Sequence, residues 1–209
     1  TWDHAEKMVL AAYGDFTPRM AEIAKDFFEK CWIDAPVREG KSPGAFSHPT
    51  VPSVHPYILL NYENQDINSV YTLLHEGGHS MHSFYSNTHQ PYVYHGYTIF
   101  VAEVASTFNE ALLLDGMLKT AADDEEKLFY LGSALEGLRL TFFRQSMFAE
   151  FELSLYEAVE RGEALTRTAH HTGMFTPVVM QMFAVGEEAG NLDEMMTYIP
   201  GRPFVENPD

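Results

Sequence analysis

The sequence predicts a mainly α-helical fold with a small β element. Apolar residues recur at helical spacing in several long stretches, while prolines and glycines crowd one segment, residues 35–56. The best strand pattern, Tyr57-Ile58-Leu59-Leu60, is short. With 209 residues and 45% apolar composition, the chain can build the core of one domain, or of one domain with an appendage.

Thr17-Pro18 reads as an N-cap followed by proline at the first helical position. Met20, Ile23, Ala24, Phe27, Phe28 and Cys31 then continue a helix ending near Trp32. Pro36, Gly40, Pro43, Gly44, Pro49, Pro52 and Pro56 exclude a helix, which leaves loops flanking one or two short extended segments and the strand Tyr57–Leu60. A second helix starts at Asp66, with Asp66 or Asn68 as cap and Val70, Leu73, Leu74 and Met81 on its apolar face. After the aromatic loop Pro91–Tyr97, a third pattern runs through Phe100, Val101, Val104, Ala105, Phe108 and Leu112. Acidic residues Asp123 to Glu126 suit a first helical turn and open a long helical region to about Arg161. From about Glu163 methionines and glycines become frequent and the pieces shorten, which predicts a division into residues 1–163 and 164–209.

Thirteen Lys and Arg against thirty Asp and Glu give a net charge of −17, which repels phosphate backbones and anionic lipid. Nucleic-acid and membrane-surface roles are therefore not expected. The single cysteine, Cys31, allows no internal disulfide and favours a reducing, cytoplasmic setting. No apolar run is long enough to span a bilayer. The first residue is Thr rather than Met, so a fragment is expected.

The informative motif is His75-Glu76-Gly77-Gly78-His79, inside the second helix. Side chains at i and i+4 lie one above the other, so two imidazoles reach one ion and Glu76 meets a water beside it. The pattern alone is only suggestive. A catalytic zinc needs three protein ligands and an open position, and Glu103 on the next helix is a candidate for the third.

Around this motif, His75-Glu76-Gly77-Gly78-His79-Ser80-Met81-His82-Ser83, Gln90-Pro91-Tyr92-Val93-Tyr94 and the run Phe100 to Glu110 closely resemble oligoendopeptidase F, among the thimet-oligopeptidase-like zinc metallopeptidases. Trp32-Ile33-Asp34, Gly44-Ala45-Phe46-Ser47, His55 to Tyr62 and Phe143 to Glu152 resemble the same family, in the family's order. The resemblance covers roughly residues 1–163 and implies a zincin-like metallopeptidase catalytic core, here truncated. It implies that His75, His79 and Glu103 bind one zinc ion, that Glu76 is the general base, and that short peptides are the substrates. An extended substrate is expected along an edge strand near Gly44–Ser47 or Tyr57–Leu60.

Two departures stand out. The family's N-terminal helical region and its C-terminal His and Tyr, which assist the transition state, have no counterpart, so weak activity and self-association through uncovered apolar surface are expected. Where that C-terminal segment should begin, residues Phe175 to Met182 and Val185 to Met196 instead resemble a helical domain of type II secretion F proteins, which suggests a chimeric or truncated chain.

Other residues keep two readings. Glu110, two turns beyond Glu103, either orients a ligand histidine through its free ring N–H or is an ordinary helix carboxylate. His82 lies about 10 Å along the helix from His75 at 1.5 Å per residue, too far to share its ion, so it belongs beside the site or in solvent. Tyr92, Tyr94, His95 and Tyr97 either donate to an oxyanion or pack within their loop. His170 and His171 are expected to be exposed, and the methionines from Met174 to Met196 to pack between helices. Gly77 and Gly78 each cost about 1 kcal/mol relative to Ala in mid-helix; close approach of another backbone would explain them. The alternative to an enzyme is a metal-binding but silent fragment, or a helical interaction module.

Overall fold

Thr17 ends one helix and begins another. Its backbone N–H closes α1 (Trp2–Phe16) on the Tyr13 carbonyl, and its hydroxyl accepts the Met20 N–H of α2 (Pro18–Glu29) at 3.1 Å. The sequence reading assigned α1 no element. Its buried residues, Ala5, Val9, Ala12 and Tyr13, recur at helical spacing and turn one stripe of the helix inward. The computed structural model describes residues 1–173 and 175–191, the side chains of Val159 and Thr172 excepted.

Three short strands follow, β1 (Ile33–Asp34), β2 (Phe46–His48) and β3 (Tyr57–Leu59), in spatial order β1-β3-β2. β3 pairs parallel with β1 and antiparallel with β2, in the register Phe46 to Leu59, Ser47 to Ile58 and His48 to Tyr57. The Tyr57–Leu60 segment is therefore central and bonded on both sides, which corrects its reading as an edge; β2 is the edge that remains beside the long helices. The loop into β2 is pinned from within. Lys41, whose side chain is 3% exposed, donates to the carbonyls of Asp34, Pro36 and Leu60, while Asn61 donates to those of Ser42 and Gly44.

Helix α3 (Ile67–His89) is capped by Asp66, whose carboxylate accepts the N–H groups of Asn68 and Ser69 at 3.1 Å each. It packs along α4 (Ile99–Thr120). Both the expected strand segment and the expected helices are present, and the mainly α class with a small sheet holds. The core gathers Val9, Tyr13, Ile23, Phe27, Trp32, Ile58, Leu60, Leu73, Leu74 and Leu113 from α1 to α4 and the sheet.

The chain packs as two units, the first from Thr1 to Ala134 and the second from Leu135 onward. The division falls within α5 (Asp124–Leu138), earlier than the expected change of character near Glu163. α5 opens on a reciprocal cap: Asp123 accepts the Glu126 N–H and Glu126 accepts the Ala122 N–H. A π-helical turn (Arg139–Phe143) joins it to α6 (Arg144–Glu160), so the long helical region ends where the sequence placed it. In the second unit, α7 (Leu165–Thr172) receives a cap from a distance, Glu187 of α8 (Pro177–Ala189) accepting the Leu165 and Thr166 N–H groups at 2.7 and 3.1 Å. His170 and His171 are exposed. Of the stretch likened to secretion proteins, residues 192–196 lie outside the described residues, as does Met174 before it. Among the described residues, no helix is long and apolar enough to cross a membrane.

The α3–α4 contact explains one of the two helical glycines completely. A Cβ on Gly78 would sit 2.8 Å from the Ser106 Cα and 3.0 Å from the Ala105 carbonyl oxygen, both α4 backbone atoms that cannot swing aside. On Gly77 it would meet the Tyr13 hydroxyl at 3.1 Å, from the α1 side. We expect Gly78→Ala to destabilise the chain by about 1–3 kcal/mol despite alanine's better helix propensity. Gly116→Ala, in open space on α4, should stabilise it by up to about 1 kcal/mol. Paired thermal melts check both signs.

Candidate metal centre

The first unit carries the motif. On α3, His75 and His79 project toward α4, their Nε2 atoms 3.1 Å apart. Glu103 projects from the first turns of α4, its carboxylate oxygens 3.5 Å from His75 Nε2 and 3.6 Å from His79 Nε2. One ligand atom from each of the three lies within 4.8 Å of the others, and no other such group of three occurs among the described residues.

The supporting groups settle which atoms face inward. His75 Nδ1 is 2.5 Å from Glu110 Oε1, so Glu110 holds that ring nitrogen and Nε2 is left toward the centre. His79 is hydrogen-bonded to the backbone of Ala102. The Ser106 hydroxyl, fully buried, donates to Glu103 Oε2 at 3.0 Å. Two imidazoles and one carboxylate, each held by a partner, form a donor set that suits zinc: nitrogen and oxygen ligands with a position left over.

Glu76 is 7% exposed and lies on the strand side of the helix, near the Ser47 backbone amide. Burial raises its carboxyl above the usual carboxylate range, against the opposing pull of His75; nearby Glu103 adds to the rise and the Ser47 amide counters it. For His75, burial disfavours the charged form, but the bond and charge of Glu110, with Glu76 and Glu103, outweigh it and raise the ring above its ordinary value. His79 moves the other way, lowered by burial and by the charge of His75. A cavity of about 350 Å³, lined in part by Ala45, Tyr71, His75 and Glu76, opens beside these groups. A larger one, about 540 Å³ and lined by Glu150, Arg161 and His171 among others, lies in the second unit and gathers no such ligand set.

The residues read from the sequence as a centre thus come together, and Glu110 takes the orienting reading. His82 stands apart, stacked on Tyr97 with ring centroids 4.0 Å apart. Tyr97 is further engaged by the Ser83 hydroxyl, and the His95 ring by the Tyr92 carbonyl, while Tyr92 and Tyr94 lie exposed on a single 3₁₀ turn. Tyr97 thus packs against α3 and His95 within the loop, whereas the side chains of Tyr92 and Tyr94 lie largely in solvent. Sequence reasoning missed Ser47, Ser80 and Ser106; only the spacing of Ser106, one turn after Glu103, carried a signal.

Comparison with known proteins bears on the same residues. The family described as Peptidase family M3 matches residues 16–190, a span that includes the centre and runs into α8. Oligopeptidase PepF of Bacillus subtilis is 44% identical over 79% of this chain and 24% of its own length. The plasmid-borne oligoendopeptidase F of Lactococcus lactis subsp. cremoris is 45% identical over 76% of this chain and 26% of its own. The chain thus spans about a quarter of the length of the curated relatives it matches. A crystal structure from Chlamydophila abortus, described as a candidate peptidase, superposes with a TM-score of 0.66 at 32% identity, covering 93% of this chain and 33% of that one.

The opposed shifts of the two histidines are open to measurement in the metal-free chain. NMR titration should place His75 above 6.5 and His79 below it, and Glu110→Gln should bring His75 down. Because His75 is raised on folding, its contribution to stability is complete below its unfolded value and is lost as pH rises through its folded value. His79, lowered on folding, contributes with the opposite sign, favouring the fold above its unfolded value and losing that contribution as pH falls through its folded one.

Proposed function

The chain belongs to peptidase family M3, and on that premise we propose that it is the catalytic part of a zinc-dependent oligopeptidase that hydrolyses short peptides. In this reading His75, His79 and Glu103 hold one zinc ion and Glu76 is the general base. The observation that carries it is the convergence of three ligand atoms within 4.8 Å, with a buried carboxylate on the adjoining residue. When bound, the ion supplies Lewis acidity toward the scissile carbonyl.

The chain's own residues supply the rest. Glu110 keeps the His75 Nδ1 proton, so the Nε2 lone pair is the one presented. Glu76, its carboxyl raised by burial, is a better proton acceptor than an exposed glutamate. It takes a proton from the attacking water as the O–C bond forms and delivers it to the amine nitrogen as the C–N bond breaks. An extended peptide lies along the edge of β2, bonding through backbone groups, and side chains enter the adjacent cavity.

Partners other than peptide are not expected: the charge of −17 disfavours nucleic acid and anionic membranes, and the lone Cys31 suits the cytoplasm. Ile99 and Phe100, 74% and 78% exposed on α4, are apolar surface through which copies of the chain associate.

His79→Ala should abolish stoichiometric zinc in the purified chain, measured by metal analysis, since two ligands rarely hold the ion. Glu76→Gln should retain zinc and lose turnover of a quenched short peptide by about a hundredfold or more, because the amide keeps the shape but cannot take the proton. Equal turnover by parent and Glu76→Gln would exclude Glu76 as base. Zinc binding without any parental turnover would identify a silent metal-binding chain instead.

A further inference from the structure

Strand β2 meets α3 through its backbone as well as through a side chain. The N–H groups of Ile58 and Leu60 go to the carbonyls of Trp32 and Asp34, at 2.8 and 3.1 Å, on the β1 side. Alternation along β3 then turns the backbone groups of Tyr57 and Leu59 toward β2, opposite His48 and Phe46. Ser47 falls between these pairs, so its N–H is directed away from the sheet, and its hydroxyl partner Ser80 lies one helical turn beyond Glu76 on the same face of α3. The Ser47 side chain lies on the same face as the buried Ile58, and its hydroxyl is 2.7 Å from that of Ser80, which is 0% exposed and follows His79 directly.

We propose that Ser47 is the positioning residue of Glu76: its amide holds the carboxylate, and its hydroxyl, bonded to Ser80, fixes the edge strand against α3. The proposal rests on the reading of Glu76 as general base given above. The restraint has a physical purpose. A buried carboxylate beside Glu103 gains by rotating toward water, and a charge-assisted bond from a backbone amide opposes that rotation at little entropic cost. It also removes one donor from the edge. A peptide along β2 is bonded at Ala45 and at the Ser47 carbonyl, and the ladder is interrupted beside Glu76, where the attacking water needs room.

The test follows the Ser47 amide by NMR hydrogen exchange in the full, zinc-loaded chain, together with turnover of a quenched short peptide. Glu76→Ala removes the acceptor and should speed Ser47 exchange about tenfold or more, leaving the Phe46 and His48 amides unchanged. Ser80→Ala should speed it as well and lower kcat about tenfold with KM within twofold and zinc content intact. Ser47→Thr, which keeps both amide and hydroxyl, should restore the parental values. If Ser80→Ala fails to fold, Ser47→Ala deletes the same hydroxyl pair from the less buried side. Unchanged Ser47 exchange in Glu76→Ala overturns the proposal, and so does a rise in KM alone in Ser80→Ala, which would assign Ser47 to substrate binding. A parent that shows the Ser47 response yet turns over no peptide refutes the peptidase reading while leaving the Ser47–Glu76 restraint standing.

Discussion

The centre depends on how closely two helices approach at one residue. His75 and His79 come from α3 and Glu103 from α4, so the distances among them are set by the separation of the helix axes. Metal sites tolerate errors of only about 0.2 Å in ligand distance, far less than the width of a methyl group. Gly78 is where that separation is determined, with the Ser106 Cα and Ala105 carbonyl against it. The helix accepts two adjacent glycines, at about 1 kcal/mol each, for a spacing no larger residue permits. Ser106 serves both sides of the contact, its backbone facing Gly78 and its hydroxyl holding Glu103.

Around that contact the charges are arranged to hold the two imidazoles differently. Three carboxylates, Glu76, Glu103 and Glu110, surround His75, whereas His79 has one, Glu103, to set against its burial and the charge of a second histidine. One ring is therefore pulled toward the charged form and the other toward the neutral form. A divalent ion bound there would neutralise much of the gathered carboxylate charge.

Much of this is legible in the sequence because it is local. The His75–His79 spacing, the Asp66 cap, the Thr17-Pro18 start and the need for a close neighbour at Gly78 each follow from helix geometry over a few residues. Glu103 and Glu110 are seven residues apart, so finding one on the inner face made the other a candidate. What stayed hidden depends on contacts between distant segments. Which strand of the sheet is central follows from Trp32 and Asp34 bonding Ile58 and Leu60, pairs more than twenty residues apart that no periodicity encodes. Ser47 and Ser80 are unremarkable as letters and meaningful only once β2 lies on α3.

Lys41 gives the fold a built-in reporter of its own opening. Its ammonium spans carbonyls from β1, from the loop after it and from the end of β3, and its side chain is 3% exposed, while Lys30, Lys119 and Lys127 lie in solvent. Acylating reagents that modify the other lysines at once reach this one only when the loop before β2 lifts away. Its labelling rate thus clocks the breathing of the segment that presents the edge strand.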